Sequence, residues 1–173
     1  MTYSYNQYQL YPFWDDEYLT LDYIDETFND PATMQQWINQ GYPNKFTGSM
    51  CDFRSPQPSW NQRFIDLFAE QGWLDIGTSY YRMQTGTVLP THNDVYAKYK
   101  QVFNLVGREH TIRRAIVFLE DWKPGHYLEI MGRPVVDWRA GLVIEWTYDT
   151  PHMAANIGLE DRYTLQITGH ADD

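Results

Sequence analysis

From Gly77 onward the chain divides into about eight short runs of strand-forming residues, and this pattern limits the possible fold more than any other feature. Glycine or proline separates most of the runs, for example at Gly86, Pro90 and Gly141. Many short strands with regular turn signals predict an antiparallel barrel or a double-sheet jelly roll. The runs are residues 80–83, 88–89, 111–119, 127–130, 134–138, 142–146, 152–156 and 162–168.

The first part of the chain has a different pattern, with two predicted helices. Asp30 followed by Pro31 is typical of a helix start and predicts a helix over residues 32–39. A second helix is predicted over residues 60–71, with Ser59 as its N-terminal cap. We expect these helices to pack as a cover on the β core.

No repeat, low-complexity segment or Gly/Ser linker divides the chain, so a single domain over residues 1–173 is predicted. Residues 1–76 form its mostly helical and irregular cover, and residues 77–170 form its β core. The predicted fold class is therefore mainly β.

Composition excludes several classes of partner. Hydrophobic residues make up 43% of the chain and aromatic residues 17%, enough for a packed core. The net charge of −10, without a Lys/Arg cluster, argues against nucleic acid and favours a neutral or cationic substrate. No apolar run is long enough to cross a membrane. The single cysteine, Cys51, and an opening segment unlike a secretory leader predict a cytoplasmic protein.

Two histidines and one aspartate are candidate metal ligands. In an extended segment His92 and Asp94 point the same way, so they can bind one ion together. His152 follows far enough downstream for intervening strands to return to the same end of a barrel. Taken singly, each has a structural alternative, a solvated turn or a hydrogen-bonded histidine. A second His-x-Asp pair begins at His170, but we expect that end of the chain to fray.

Polar residues alternate along the last predicted strand, and they predict an anion site. Arg162 and Thr164 share one face there, while Leu165 and Ile167 point the other way. A guanidinium binds a carboxylate through two parallel hydrogen bonds, so Arg162 and Thr164 are candidate cofactor-binding residues. The alternative for Arg162 is a surface ion pair with a neighbouring acid. Arg114 is a third candidate, for a second carboxylate on substrate or cosubstrate, with an ion pair at the end of the barrel as the alternative.

Other residues are expected around the same pocket. Trp138 and Trp146 are the best aromatic candidates to border it. Tyr80 and Tyr81 point to opposite faces of their strand, so one of them should line it. The polar segment of residues 95–110 is predicted to be a lid, with a plain surface excursion as the alternative.

Several motifs in residues 79–169 resemble those of the 2-oxoglutarate/Fe(II)-dependent oxygenases, especially the aspartyl/asparaginyl β-hydroxylase and proline-hydroxylase-like branch. The motifs are Leu-Pro-Thr-His-Asn-Asp at 89–94, Arg-Ala-Ile-Val-Phe-Leu-Glu-Asp-Trp-Lys-Pro-Gly-His at 114–126, Trp-Arg-Ala-Gly at 138–141, and Asp-Thr-Pro-His at 149–152 through Arg-Tyr-Thr-Leu-Gln-Ile-Thr-Gly at 162–169.

The resemblance implies a double-stranded β-helix, a jelly-roll or cupin-like fold. It also implies that His92, Asp94 and His152 bind Fe(II) and that Arg162 binds the 5-carboxylate of the cosubstrate 2-oxoglutarate. The implied reaction uses O2 to hydroxylate a C–H bond of a small molecule, for example an amino acid, or of a peptide side chain, with release of succinate and CO2.

Two other functions fit parts of the sequence. A cupin-type metalloprotein with non-oxidative chemistry would use the same ligands but has no need of Arg162. An acidic, aromatic-rich jelly-roll binding module would make the histidines incidental. The sequence leaves open whether the protein is a monomer or a homodimer.

Overall fold

The computed structural model describes residues 5–172, and this part of the chain is mainly β. Two antiparallel sheets pack face to face around a central cavity. The strands and helices are, in chain order, β1 (Tyr5–Gln9), β2 (Ile24–Thr27), α1 (Pro31–Asn39), β3 (Thr47–Cys51), α2 (Asn61–Glu70), β4 (Leu74–Met83), β5 (Thr87–His92), α3 (Ala97–Val102), β6 (Ile112–Phe118), β7 (His126–Ile130), β8 (Arg133–Val135), β9 (Leu142–Thr147), β10 (His152–Asn156) and β11 (Arg162–His170).

The order of the strands defines a double-stranded β-helix. From β4 to β11 successive strands alternate between the two sheets, except that β7 and β8 form a hairpin within the smaller sheet. The larger sheet has the order β1-β9-β6-β11-β4-β3-β2, and the smaller has the order β5-β10-β7-β8. Every one of the eight predicted runs overlaps one of these strands, so the predicted fold class is confirmed.

Three N-terminal strands extend the larger sheet, a feature that the predicted helical and irregular cover did not include. Strand β1 pairs with β9 at one edge, and β3 pairs with β4 at the other, with β2 outermost. Because these strands hydrogen-bond directly to core strands, we propose that residues 5–172 fold as one cooperative unit.

The two faces of the larger sheet bury different cores. One core lies against α2, whose Phe64 and Phe68 are fully buried there with Leu165 and Ile167 of β11. The other lies between the sheets and contains Ile116 of β6. The alternation predicted for β11 is therefore confirmed, and its polar residues face the space between the sheets.

The predicted helices are both present, but their caps differ. Asp30 caps α1 by accepting hydrogen bonds from the backbone N–H groups of Ala32 and Thr33. Ser59 does not cap α2, because its backbone N–H and its hydroxyl both donate to the Glu17 carboxylate instead. Ser59 therefore binds a side chain distant in the sequence, Glu17, instead of the backbone at the start of α2. Within residues 5–172, no helix combines the length and the apolar composition that crossing a membrane requires.

Candidate metal and cosubstrate site

The smaller sheet places the two candidate histidines beside each other. His92 ends β5, His152 begins β10, and the two residues are paired across these antiparallel strands. Their ring centroids lie 4.4 Å apart. Asp94 follows β5 by two residues and turns its carboxylate toward both rings. Sheet pairing therefore joins two histidines that are 60 positions apart in the sequence.

The three side chains form a cluster with the spacing of a mononuclear metal site. Asp94 Oδ1 lies 3.8 Å from His92 Nε2, and Asp94 Oδ2 lies 3.8 Å from His152 Nε2. One ligand atom from each residue lies within 4.8 Å of the others, and no other such group of His, Cys, Asp and Glu occurs in residues 5–172. Two imidazoles and one carboxylate are the donor set of non-heme Fe(II) sites with open coordination positions.

The backbone orients both imidazoles for metal binding. His92 Nδ1 lies 2.7 Å from the Pro90 carbonyl oxygen, and His152 Nδ1 lies 2.9 Å from the Thr150 carbonyl oxygen. Because a carbonyl only accepts, each Nδ1 carries the proton and each Nε2 keeps its lone pair. Hydrogen bonds of this kind fix the tautomer and the ring orientation of metal-binding histidines.

The protonation states of the cluster also suit a cation. Burial, assisted by the neighbouring His152, lowers the pKa of His92 to about 4, so its ring is neutral near pH 7. Burial raises the pKa of Asp94, but His152 and Arg114 outweigh this effect and hold the pKa below its usual value. Metal binding requires a neutral imidazole and an ionised carboxylate, and both are present before any metal binds.

Aromatic rings enclose the two histidines. Phe28 and Trp37 lie against the His92 ring, with centroid distances of 4.9 and 5.7 Å, and Trp146 lies 5.1 Å from the His152 ring. Trp146 thus borders the site as predicted. The other expected tryptophan, Trp138, stacks on Phe118 instead and does not line the cavity. An apolar shell controls solvent access and the dielectric around a metal.

A single cavity extends from the cluster of His92, Asp94 and His152 to Arg162. Its volume is about 200 Å³, which suits small ligands rather than bulky ones. Its walls are formed by Phe46, Ile116 and Leu128, and residues 26–29 form one side. Tyr81 also lines it, whereas Tyr80 is buried in the opposite core.

Arg162 is buried in this cavity without a carboxylate partner. Its side chain is only 2% exposed, and Nη1 donates to the Tyr127 carbonyl oxygen at 2.7 Å. Burial lowers its pKa to about 10. The alternative for Arg162 was an ion pair with a neighbouring acid. However, Glu160 pairs with Lys123, and Asp161 pairs with Arg82. The surface ion pair is therefore excluded for Arg162.

Unpaired donors around Arg162 indicate the class of ligand that fits. Arg162 Nε and the Thr164 hydroxyl are buried and have no hydrogen-bond partner within residues 5–172. The buried Asp94 Oδ2 likewise lacks a donor in this part of the chain. Leaving such groups unsatisfied costs free energy, so ligands that complete them bind favourably. An anion near Arg162 and a cation near Asp94 meet this requirement.

Arg114, the third candidate cofactor-binding residue, lies on the other side of the cavity. It pairs with Thr168 and Trp146 on the two neighbouring strands, and its guanidinium faces Asp94. Arg114 Nε lies 3.7 Å from Asp94 Oδ2. The two arginines of the cavity are therefore separated. Arg114 lies beside the cluster of candidate metal ligands, and Arg162 lies at the far wall.

Several residues of the site were not singled out by sequence analysis. Gln166 lines the cavity and lies on the polar face of β11, so the alternation that identified Thr164 also contained the signal for it. Phe28 and Glu26 line the cavity from the N-terminal part of the chain, where no local pattern indicates a site. His170 does not fray as expected, because it is buried and its Nε2 lies 2.9 Å from Asp75 Oδ2.

The segment predicted to be a lid, residues 95–110, contains helix α3, which the sequence analysis did not predict. The helix has a polar, short sequence and begins after Tyr96 without a side-chain cap. Its movement over the cavity remains a prediction.

Gly48 leaves the space that Tyr81 occupies at the cavity wall, which gives a first prediction. A Cβ at position 48 would overlap the phenol ring of Tyr81, whereas a Cβ at Gly77 would contact nothing within 4 Å. We expect Gly48→Ala to destabilise the fold by about 1–3 kcal/mol, because the ring must move within a packed core. Urea unfolding should show this loss for Gly48→Ala and not for the control Gly77→Ala. Equal midpoints for the two variants would contradict the packing.

The buried histidine on β7 gives a second prediction, about pH. His126 is 2% exposed, and burial lowers its pKa, although its Nε2 bonds to the Glu160 carbonyl. The unfolded chain therefore takes up a proton at about pH 6.5 while the folded protein does not. We expect metal-free protein to lose stability as the pH falls below that value, and His126→Gln to lose less. Unfolding curves between pH 8 and 5 test this, and an unchanged slope in the variant would refute it.

Comparison with solved structures agrees with the fold. A prolyl-4-hydroxylase from Pseudomonas putida has a TM-score of 0.56 at 13% identity, with 91% of this chain and 97% of that chain covered. The non-heme alpha-ketoglutarate-dependent epimerase SnoN of nogalamycin biosynthesis has a TM-score of 0.55 at 14% identity, covering 89% and 78% of the two chains. A 2OG-Fe(II) oxygenase family oxidoreductase from Burkholderia pseudomallei has a TM-score of 0.54 at 14% identity, covering 90% and 76%.

These similarities identify the class of fold. The protein shares the double-stranded β-helix of 2-oxoglutarate- and iron-dependent oxygenases, so the resemblance seen in the sequence is confirmed at the level of the fold. No known protein-family profile matches the chain, and no curated protein matches its sequence. At 13–14% identity the similarity says nothing further about activity.

Proposed function

We propose that the protein is an Fe(II)- and 2-oxoglutarate-dependent oxygenase. The observation that carries this proposal is the presence of two complementary sets of unsatisfied groups in one cavity. One set is the His92, Asp94 and His152 cluster, whose Nε2 and carboxylate atoms converge. The other is the buried cation of Arg162 at the cavity wall, with the unpaired Thr164 hydroxyl two residues further along the same face of β11. A dicarboxylate that also chelates a metal satisfies both sets together.

Each residue has a specific role in this proposal. His92, Asp94 and His152 hold the metal on one face and leave the opposite face open. Arg162 and Thr164 bind the distal carboxylate of 2-oxoglutarate by charge-assisted hydrogen bonds. The aromatic shell excludes water. Iron(II) and 2-oxoglutarate, if held by these residues, would supply O2 activation, with one oxygen atom inserted into a C–H bond as hydroxyl and the other recovered in succinate, with loss of CO2.

The proposed substrate is a small molecule or a peptide side chain, and the proposed compartment is the cytoplasm. The single cysteine, Cys51, is buried and free, as expected in a reducing compartment that also keeps iron in the ferrous state. The non-oxidative cupin is disfavoured, since that chemistry does not use a buried arginine such as Arg162. The binding module is disfavoured, because the histidines are clustered and oriented rather than incidental.

The test of the proposed function uses metal-free protein without oxygen. Addition of Fe(II) and 2-oxoglutarate should produce the weak visible charge-transfer band of an iron–keto acid chelate. Succinate, which has both carboxylates but no keto group, should produce no band and serves as the control. Metal binding without a band would favour the non-oxidative cupin, and absence of metal binding would favour the binding module.

A further inference from the structure

Arg114 is a second cation at the cavity wall, and two hydrogen bonds hold its guanidinium in place. Nη1 donates to the Thr168 hydroxyl, and Nη2 donates to Gln166 Oε1 at 2.5 Å. Both partners belong to the polar face of β11 and are uncharged. They fix the direction of the guanidinium plane without neutralising its charge.

A third donor atom of Arg114, Nε, has no acceptor in the described part of the chain. Nε is buried without a hydrogen-bond partner in residues 5–172, and the nearest carboxylate oxygen, Asp94 Oδ2, lies 3.7 Å away. That distance is too long for a hydrogen bond. The side chains of Arg114 and Asp94 are 18% and 21% exposed and line the same cavity. A ligand that enters beside the metal cluster therefore meets a fixed, positively charged donor.

The charges of the loaded site determine what this ligand must be. The charged residues of the cavity wall are Glu26, Asp94, Arg114 and Arg162, and Glu26 is already paired with Arg54. Iron(II) brings two positive charges and 2-oxoglutarate two negative ones. With Asp94 negative and both arginines positive, one positive charge remains. In a buried site an uncompensated charge is costly, so an anionic group is favoured there.

We propose that Arg114 binds a carboxylate of the substrate, which makes the substrate a small carboxylic acid. The cavity volume of about 200 Å³ agrees with a small molecule. This inference rests on the proposed function and deepens it. It assigns Arg114 to the substrate, whereas the sequence left substrate and cosubstrate open for this candidate cofactor-binding residue. It also replaces the preference for a neutral or cationic substrate, because the local charge of a cavity outweighs the net charge of −10.

The experiment compares acids with their uncharged amides. Protein loaded with Fe(II) and 2-oxoglutarate without oxygen is titrated with the twenty standard L-amino acids and, in parallel, with their L-amino acid amides. Binding is followed by the shift of the visible chelate band and by tryptophan fluorescence, since Trp146 borders the cavity. We expect at least one free acid to bind about 30-fold more tightly than its amide. The amide lacks the negative charge that would pair with Arg114, and loss of one partner of a buried charge pair weakens binding by about this factor.

Variants separate the substrate from the cosubstrate as the source of the carboxylate. Arg114→Gln should abolish the preference for the acid and change the dissociation constant of 2-oxoglutarate less than about 3-fold, because Arg162 holds the cosubstrate. Arg114→Lys keeps the charge and should retain part of the preference. Arg113→Gln is the matched control, since Arg113 lies on the opposite face of β6 and donates to the His110 carbonyl. It should behave like the parent.

The outcomes are distinct. If every acid binds no better than its amide, or if Arg114→Gln weakens 2-oxoglutarate as strongly as Arg162→Leu does, the inference is overturned while the proposed function stands. If the parent protein forms no chelate band, the proposed function fails and the inference fails with it. A preference for one acid that disappears in Arg114→Gln and survives in Arg113→Gln supports the inference.

Discussion

Asp94→Asn is expected to weaken Fe(II) binding by more than about 100-fold and to abolish the visible chelate band. Loss of an outer hydrogen bond to a metal ligand alone costs about 10- to 100-fold in affinity, and this change removes a ligand charge itself. The amide keeps the shape of the side chain but cannot supply the negative oxygen that faces His92 Nε2 and His152 Nε2. Anaerobic equilibrium dialysis with Fe(II) measures the loss directly.

Two further measurements show that such a loss is chemical rather than a failure to fold. In metal-free protein Asp94→Asn removes the carboxylate opposite Arg114, but both side chains are partly exposed, so we expect only about 1 kcal/mol of destabilisation. The exposed Asp22→Asn is the matched control and should bind Fe(II) like the parent. Parent-like Fe(II) affinity in folded Asp94→Asn would disprove the metal site.

We also expect His152→Ala to abolish metal-dependent turnover.

Arg162→Leu is expected to raise the dissociation constant of 2-oxoglutarate by about 100- to 1000-fold while leaving Fe(II) binding intact. Removing one partner of a buried, hydrogen-bonded charge pair costs about 3–4 kcal/mol, and each 1.4 kcal/mol is tenfold in affinity. Arg162 is not a metal ligand, so only the cosubstrate should be lost. Titration of the chelate band with 2-oxoglutarate gives both constants in one experiment.

The controls for Arg162 use the geometry of the guanidinium and its burial. Arg162→Lys should recover part of the affinity, because an ammonium keeps the charge but loses the two parallel hydrogen bonds. Arg139→Leu removes an arginine whose side chain is 77% exposed and should have no effect. In metal-free protein Arg162→Leu should change stability by no more than about 1 kcal/mol. The variant loses the hydrogen bond to the Tyr127 carbonyl oxygen, which destabilises the fold, but it no longer buries a charged group, which stabilises the fold by a similar amount. Unaltered 2-oxoglutarate binding would disprove the role of Arg162.

Local sequence patterns predicted most of the β core. Strand β11 alternates polar and apolar residues along its predicted length, so its two faces can be recognised without a structure. The same alternation located Arg162 and Thr164, and the His-x-Asp spacing located two candidate metal ligands on one short segment. These features depend on residues close together in the chain.

The three N-terminal strands could not be predicted in this way. Their sequences, Tyr-Asn-Gln-Tyr-Gln in β1, Ile-Asp-Glu-Thr in β2 and Thr-Gly-Ser-Met-Cys in β3, carry little strand propensity. They are strands because β1 pairs with the edge of β9, β3 pairs with the edge of β4, and β2 then pairs with β3. Strand preference depends strongly on such neighbours. The predicted cap of α2 was wrong for a similar reason, because Ser59 hydrogen-bonds to the distant Glu17 carboxylate rather than to the start of the helix.

By itself the sequence determined the fold class, the identity of the three metal-binding candidates and the polar face that carries Arg162. Each of these depends on residue type and short spacing, which the backbone geometry of a strand converts directly into a shared face. Only the tertiary structure decided that His92 and His152 pair across two strands and that Arg162 is buried without a counter-charge. It alone shows that Arg114 faces Asp94. These are distances and burial between segments far apart in the chain, and they are set by sheet pairing and packing.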